Sequence, residues 1–342
     1  MTKHIKQTHT KERVPCVVAA AWSKIPLLTL LLLQGEDSMS SIYVPNPVPL
    51  PTEDAESIRK AVQGWGTDEK ALIQILGHRT AAQRAEIATA YEGLYNETLL
   101  DRLEAELSGD FRNAMMLWAT DPAARDAKLA HEALMKGDRY VWVLLEVASA
   151  SAPDHLVAVR KAYSSAYSAS LEQDFLVRLL TSDRYAGENV DGKLAKADAV
   201  ELHEAVVVKK QPLHGDVARV LGSRSKRQLK ATFERYRQEY GKAIDEVLEE
   251  RRGDRLVAML RAAVWCVTSP EKHFAEVIRM SMFGLGTDED SLTRAIVSRA
   301  EVDMEKVVQE YRTRYGTTVT SDIHGDTSGY YKDILLTLVG PE

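Results

Sequence analysis

Helix breakers are scarce over most of this 342-residue chain. Of its 11 prolines, six lie at or before Pro51, and only Pro122, Pro153, Pro212, Pro270 and Pro341 follow. Cysteine is scarcer. Two residues, Cys16 and Cys266, exclude a disulfide framework and a four-cysteine zinc site, and make a reducing compartment the default. Surplus positive charge is also missing: Lys+Arg number 44 against 50 Asp+Glu, a net charge of −6. That balance excludes a protein working mainly by neutralising nucleic-acid phosphate. What is present is 45% hydrophobic residues, enough for large buried cores, with abundant Ala, Leu, Glu, Arg and Lys. Few breakers and many helix formers predict an almost entirely helical protein. Length alone suggests two or three domains.

Long apolar runs are missing as well. Residues 1–13 carry Lys3, Lys6, Lys11 and Arg13, and residues 14–33 are largely apolar, an order that resembles a signal peptide or anchor. Lys24 interrupts the run, so the only clean stretch is 25–33, far short of the roughly 20 residues a span needs. No small-x-small cleavage site follows directly. The segment is read as a disordered extension, or as preceding an effective start at Met39. Pro45, Pro47, Pro49 and Pro51 then mark an extended arm. Without its first 38 residues, which hold five basic and three acidic side chains, the chain stands at −8.

The pair Tyr-x-x-x-Tyr recurs at Tyr91/Tyr95, Tyr163/Tyr167, Tyr236/Tyr240 and Tyr311/Tyr315, in steps of 72, 73 and 75 residues. The same offsets carry Arg79 to Ser151, Arg224 and Arg299, so three of four agree. The tyrosines are read as helix-face packing residues that mark the register. Apolar spacing inside each unit is helical, as at Leu72, Ile73, Ile75 and Leu76, or Leu99, Leu100, Leu103 and Leu107. About five short helices fit such a unit, which is long enough to own a core. Joints are expected at Thr120-Asp121-Pro122, between Gly187 and Gly192, and at Thr268-Ser269-Pro270. The chain then divides into an extension and arm, 1–51, and repeats at 52–122, 123–196, 197–269 and 270–342.

The first and last units contain Gly64-Trp65-Gly66-Thr67-Asp68-Glu69 and Gly284-Leu285-Gly286-Thr287-Asp288-Glu289. Alternating glycines permit positive φ and let a loop turn its carbonyls inward. Thr67 and Thr287 suit a helix N-cap, and the following acids suit the helix dipole. Forty residues after the second glycine stands a carboxylate, Glu106 in one unit and Asp326 in the other. The middle units act as internal controls. Unit two has Lys136 and Asp138 for the glycines and Arg178 for the acid; unit three has Lys209, Gln211 and Arg251. Glycines and acid are lost together, as a shared ligand site predicts and a mere turn does not.

With period, loop and spacing coinciding, residues 52–340 resemble the annexin family, whose G-x-G-T loop with its distant acid is matched twice. Gly325-Asp326-Thr327-Ser328-Gly329-Tyr330-Tyr331 is similar to the family's final acid segment. Intact outer units, degenerate middle units and Trp65 between the glycines resemble the plant branch. The resemblance implies an all-α fold of four five-helix repeats, arranged as a curved disc with calcium loops on its convex face. It implies Ca²⁺ held by the carbonyls of Val62, Gly64 and Gly66 with a bidentate Glu106, and by those of Met282, Gly284 and Gly286 with Asp326. Ca²⁺ takes about 6–8 oxygens, more than either set supplies, which leaves positions for a lipid phosphate. Mg²⁺, which holds its waters, should substitute poorly.

The partner so implied is an anionic phospholipid membrane, not nucleic acid, with Trp65 and Leu285 near the headgroups. Cytoskeletal contacts or self-association on the membrane are further expectations, as is a cytoplasmic protein reversibly bound to plasma membrane or endomembranes. A chain at −8 is repelled by an anionic leaflet, and calcium bridging removes that conflict.

Enzyme signatures are incomplete. Gly187 to Leu194 approaches a P-loop but has Leu194 in place of Ser/Thr. His131-Glu132 and His203-Glu204 lack the second histidine of H-E-x-x-H, and their separation of 72 marks them as repeat echoes. Asn96-Glu97-Thr98 is a glycosylation sequon without meaning in the cytosol. His78 matches a histidine proposed in plant annexins to support haem or peroxidase activity, the alternative to a non-enzymatic membrane binder, alongside a helical scaffold or channel. Met115, Met116 and Cys266 form an incomplete redox cluster, with Cys266 read as core. Arg224, Lys226, Arg227 and Lys230 are read as a solvated helix face.

Overall fold

The structure, a computed structural model, describes residues 39–64, 66–136, 141–168, 189–211, 215–251 and 253–341. The extension 1–38, Trp65, Asp138, Arg178 and the Gly187 joint lie outside the described residues. Those described form helices and connecting turns, with no strand among them.

The first repeat folds as α1 (Pro51–Ala61), α2 (Glu69–Leu76), α3 (Ala81–Tyr95), α4 (Leu99–Glu106) and α5 (Gly109–Ala119). The second contributes α6 (Pro122–Lys136), α7 (Val141–Ala150) and α8 (Pro153–Tyr167). In the third, α9 (Gly192–His203) runs into a π-helical turn, Glu204–Val208. It is followed by α10 (Gly215–Ser223), α11 (Lys226–Tyr240), α12 (Ile244–Glu249) and α13 (Arg255–Thr268). The fourth holds α14 (Pro270–Ser281), α15 (Glu289–Arg299), α16 (Met304–Tyr315), α17 (Val319–Asp326) and α18 (Gly329–Val339).

The few prolines sit where helices begin. Pro51, Pro153 and Pro270 occupy first-turn positions, where the missing N–H costs nothing, and Pro122 opens α6. Thr80, Thr98, Ser225 and Thr318 cap α3, α4, α11 and α17 by accepting from backbone N–H groups.

The four leading tyrosines, Tyr91, Tyr163, Tyr236 and Tyr311, are fully buried, and each packs on its follower at 4.9 Å between ring centroids. Their hydroxyls meet a second repeated position. Arg59 donates to Tyr91 Oη, while His131 and His203 each lie 3.1 Å from Tyr163 and Tyr236 Oη. The two His-Glu pairs are thus packing echoes, as their spacing predicts.

A buried ion pair is also repeated, its acid recurring as Asp54, Asp126 and Asp198 in steps of 72 residues. Arg79 binds Asp54 at 2.7 and 2.9 Å, and Arg224 binds Asp198 at 2.8 and 3.0 Å. In the fourth repeat Phe274 replaces that acid, and Arg299 turns to Asp303. In the second repeat Ser151 replaces the arginine, and Asp126 takes Arg125 and His155 instead. Burial acts to raise Asp126, but the charge of Arg125 and the hydrogen bonds from Arg125 and His155 outweigh it and hold the carboxyl below its ordinary range. Arg224 is therefore an internal partner, and Lys226 reaches the Ala150 carbonyl at 3.3 Å, so the expected solvated basic face is partly consumed by packing.

Repeats one and four share one continuous apolar core, whereas repeats two and three each have their own cluster and meet through a smaller one of Leu145, Ala262, Ala263 and Cys266. Glu301 strengthens the first junction by accepting from Arg84 and from the Ala81 N–H at the start of α3. The Arg84 guanidinium carbon sits over the fully buried Trp118, 3.7 Å from its ring centroid. The arm closes the same junction: Ser41 N–H donates to Ala300 O, Glu305 N–H donates to Met39 O, and His78 Nδ1 lies 2.9 Å from Tyr43 O. Between repeats two and four, His273 on α14 meets Glu146 at 2.9 Å, and Glu146 also pairs with Arg294.

Burial pushes His273 down to about 4 from 6.5, so the native state holds it neutral while the unfolded chain takes up a proton. Stability contributed by neutral His273 is complete above pH 6.5 and lost as pH falls toward 4. Urea midpoints measured across that window should decline, and His273→Gln should flatten the decline.

Candidate functional site

The two glycine loops close alike. α1 and α14 end on Val62 and Met282, and the chain returns through hydrogen bonds of 2.8 Å from Asp68 N–H to Ala61 O and from Asp288 N–H to Ser281 O. Gly64 and Gly66 have φ of +108° and +87°, and Gly284 and Gly286 have +123° and +87°. A Cβ added at any of the four would touch nothing, so backbone conformation and not space demands glycine.

The expected N-caps are displaced by one residue. Asp68 and Asp288, not the threonines, cap α2 and α15, accepting from Ala71 and Ser291 N–H. A carboxylate at the cap suits the helix dipole better, and it frees the preceding hydroxyls. Thr67 Oγ1 instead donates to the carbonyl of Glu106 at 3.5 Å, and Thr287 Oγ1 to that of Asp326 at 3.3 Å. Each loop is thus tied to the residue that carries its distant acid.

Around the acids the two repeats differ. One Arg102 nitrogen, Nη2, lies 2.9 Å from Glu106 Oε1 and 2.9 Å from the Val62 carbonyl. Asp326 has no ion pair among the described residues. The position matching Arg102 is Asp322, which accepts from Arg279 at 2.7 Å, from Tyr311 and from Thr317 at 3.1 Å. In the first repeat the matching arginine, Arg59, turns to Glu97 at 2.9 Å, where the fourth repeat has Thr317.

The fourth loop also presents an apolar tip. Leu285 is fully exposed and Phe283 is two-thirds exposed, with Met280 beside them. Leu285 is the expected tip residue; Phe283 is legible in the sequence only as a large apolar residue next to the first glycine.

Where glycines and acid are missing, an arginine substitutes. In the third repeat Arg251 Nη1 donates to the Val206 carbonyl at 3.3 Å, just before Lys209 and Gln211.

Other candidates resolve into structure. His78 anchors the arm. Cys266 is fully buried, with its thiol pushed up to about 12 by burial, and is inert packing. Among the described residues no cluster of three His, Cys, Asp or Glu side chains could hold a metal, and no helix is long and apolar enough to cross a membrane.

These features define an all-helical repeat protein whose outer repeats each set a glycine loop against a single acid. The annexin family model matches residues 53–118, 197–260 and 273–338. Annexin D3 of Arabidopsis thaliana is 44% identical over 319 residues, covering 88% of this chain and 99% of the relative. Chicken annexin V superimposes with a TM-score of 0.80 at 32% identity, over 90% of this chain and 100% of that one. A calcium-bound annexin (Sm)1 gives 0.77 at 27% identity, over 90% and 94%. The chain belongs to the annexin family.

Proposed function

We propose that this annexin binds anionic phospholipid membranes when Ca²⁺ fills two loops, one in repeat one and one in repeat four. The repeats on this reading span 52–122, 123–196, 197–269 and 270–342. The first ion takes the carbonyls of Val62, Gly64 and Gly66 and the carboxylate of Glu106. The second takes those of Met282, Gly284 and Gly286 with Asp326. The observation that carries the reading is the pair of threonine hydrogen bonds tying each loop to the residue bearing its acid, forty positions away.

The donors suit the ion. They are all oxygen, with one carboxylate per site, as a hard cation of flexible geometry requires. Convergence is supported in repeat one, where a single guanidinium nitrogen already contacts both the Val62 and Glu106 oxygens. The bound ion supplies positive charge to a protein that otherwise repels an acidic leaflet, and lipid phosphate completes its coordination. Phe283 and Leu285 then enter the headgroup layer, with Trp65 assigned the same role in repeat one. Attachment is peripheral and involves no enzymatic turnover.

Phosphatidylserine vesicles should pellet the protein in Ca²⁺ and release it when chelator is added; Mg²⁺ should not replace Ca²⁺. Pelleting that persists in excess chelator at neutral pH would refute the reading.

A further inference from the structure

We infer that Arg102 sets the calcium affinity of the first-repeat loop, acting as a tethered cation that competes with Ca²⁺ for the Val62 carbonyl and the Glu106 carboxylate. The inference rests on the calcium reading above, and its consequence is that the fourth-repeat loop fills first.

Five observations carry it. The same Arg102 nitrogen lies 2.9 Å from the Val62 carbonyl and from one Glu106 oxygen, both assigned to the ion, so guanidinium and Ca²⁺ compete for them as like charges. Helix energetics do not account for the contact. An i,i+4 pair with the base N-terminal to the acid is the weaker order, and Glu106 ends α4, where the dipole disfavours an anion. The fourth repeat lacks the competitor, because Asp322 replaces Arg102 and is held by Arg279, Tyr311 and Thr317. In the first repeat the acid that pairs with Arg59 is instead Glu97 in the preceding turn, which leaves position 102 open to a base. The third repeat shows the permanent form: both glycines and the acid are gone, and Arg251 bonds the carbonyl of Val206 near its helix end.

The contact in repeat one is reversible because of its surroundings. Both partners retain 25% side-chain exposure, so the guanidinium can leave for solvent when Ca²⁺ arrives. Calcium must break a charge-assisted pair and a hydrogen bond at this loop, and neither at the other.

The test is calorimetric titration of the full chain with CaCl₂ and no lipid, in an Asp326→Asn background that leaves one loop. Arg102→Gln should tighten binding about tenfold, the scale of one hydrogen bond plus a partly exposed ion pair, and Arg102→Ser should do the same. The calcium needed for half-maximal vesicle pelleting should fall by a similar factor, with helicity unchanged by circular dichroism. An arginine that merely supports the loop would give weaker binding on removal. Unchanged or weaker binding in both variants would overturn the proposal. Adding Glu106→Gln must then abolish the titration. Calcium binding that survives Glu106→Gln, or that is absent from the Arg102→Gln chain, overturns the site reading itself. Binding lost with Glu106→Gln yet indifferent to residue 102 overturns only the role of the arginine.

Discussion

Replacing both loop acids, Glu106→Gln with Asp326→Asn, should abolish calcium-dependent vesicle binding while leaving the helices intact. The two side chains are the only charged ligands assigned to the ions. Neutral amides keep the shape of each site but remove the Coulomb attraction that draws a divalent ion from water. Each site should lose more than the roughly 10–100-fold in affinity that follows from changing a residue that only orients a metal ligand. Asp326→Asn disturbs no ion pair among the described residues. Glu106→Gln releases only a partly exposed partner, Arg102, so neither change threatens the fold. Cosedimentation and far-ultraviolet circular dichroism read the two halves of the prediction. A helical double variant that still pellets with vesicles would show that the acids are not the ligands.

Asp54→Ala should destabilise the protein by about 3–5 kcal/mol, the cost of leaving a buried arginine without its counter-ion. Asp54 and Arg79 are both buried and joined by two bonds, and Arg79 also donates to the His78 carbonyl next to the arm. Removing the acid leaves a full charge between α1 and α3. Removing both charges is different: Asp54→Leu with Arg79→Met should recover most of the loss, since well-packed apolar pairs commonly equal buried ion pairs. The second repeat offers a natural parallel, because losing the arginine at Ser151 is accompanied by Arg125 and His155 around Asp126. Urea unfolding of the single and double variants measures both predictions. A single variant within about 1 kcal/mol of wild type, on the order expected of a surface change, would contradict this account of the pair.

Much of the candidate site is legible in the amino-acid order. Gly64, Gly66, Gly284 and Gly286 can be recognised because positive φ has a residue signature, and the acids because their loss in the middle repeats accompanies loss of the glycines. The threonines are the exception, since residue type points them to a cap that they do not make. A capping preference is only a tendency, and Asp68 stands beside Thr67 as an equal candidate; the path of the loop decides between them. Arg102 carries a weak signal, four residues before Glu106 on the same helix. Its contact with Val62, forty positions earlier, depends on how α4 lies against the end of α1.

The amino-acid order by itself determined the helical class, the four-unit register and the two outer loops. Each follows from interactions within a few residues: propensity, periodicity, backbone handedness and repeated composition. Tertiary packing decided which repeats share a core, which base answers each buried acid, and that Arg102 meets both Val62 and Glu106 in the first repeat while no base pairs with Asp326 among the described residues. Those outcomes depend on distances between side chains far apart in the chain, which no local pattern encodes.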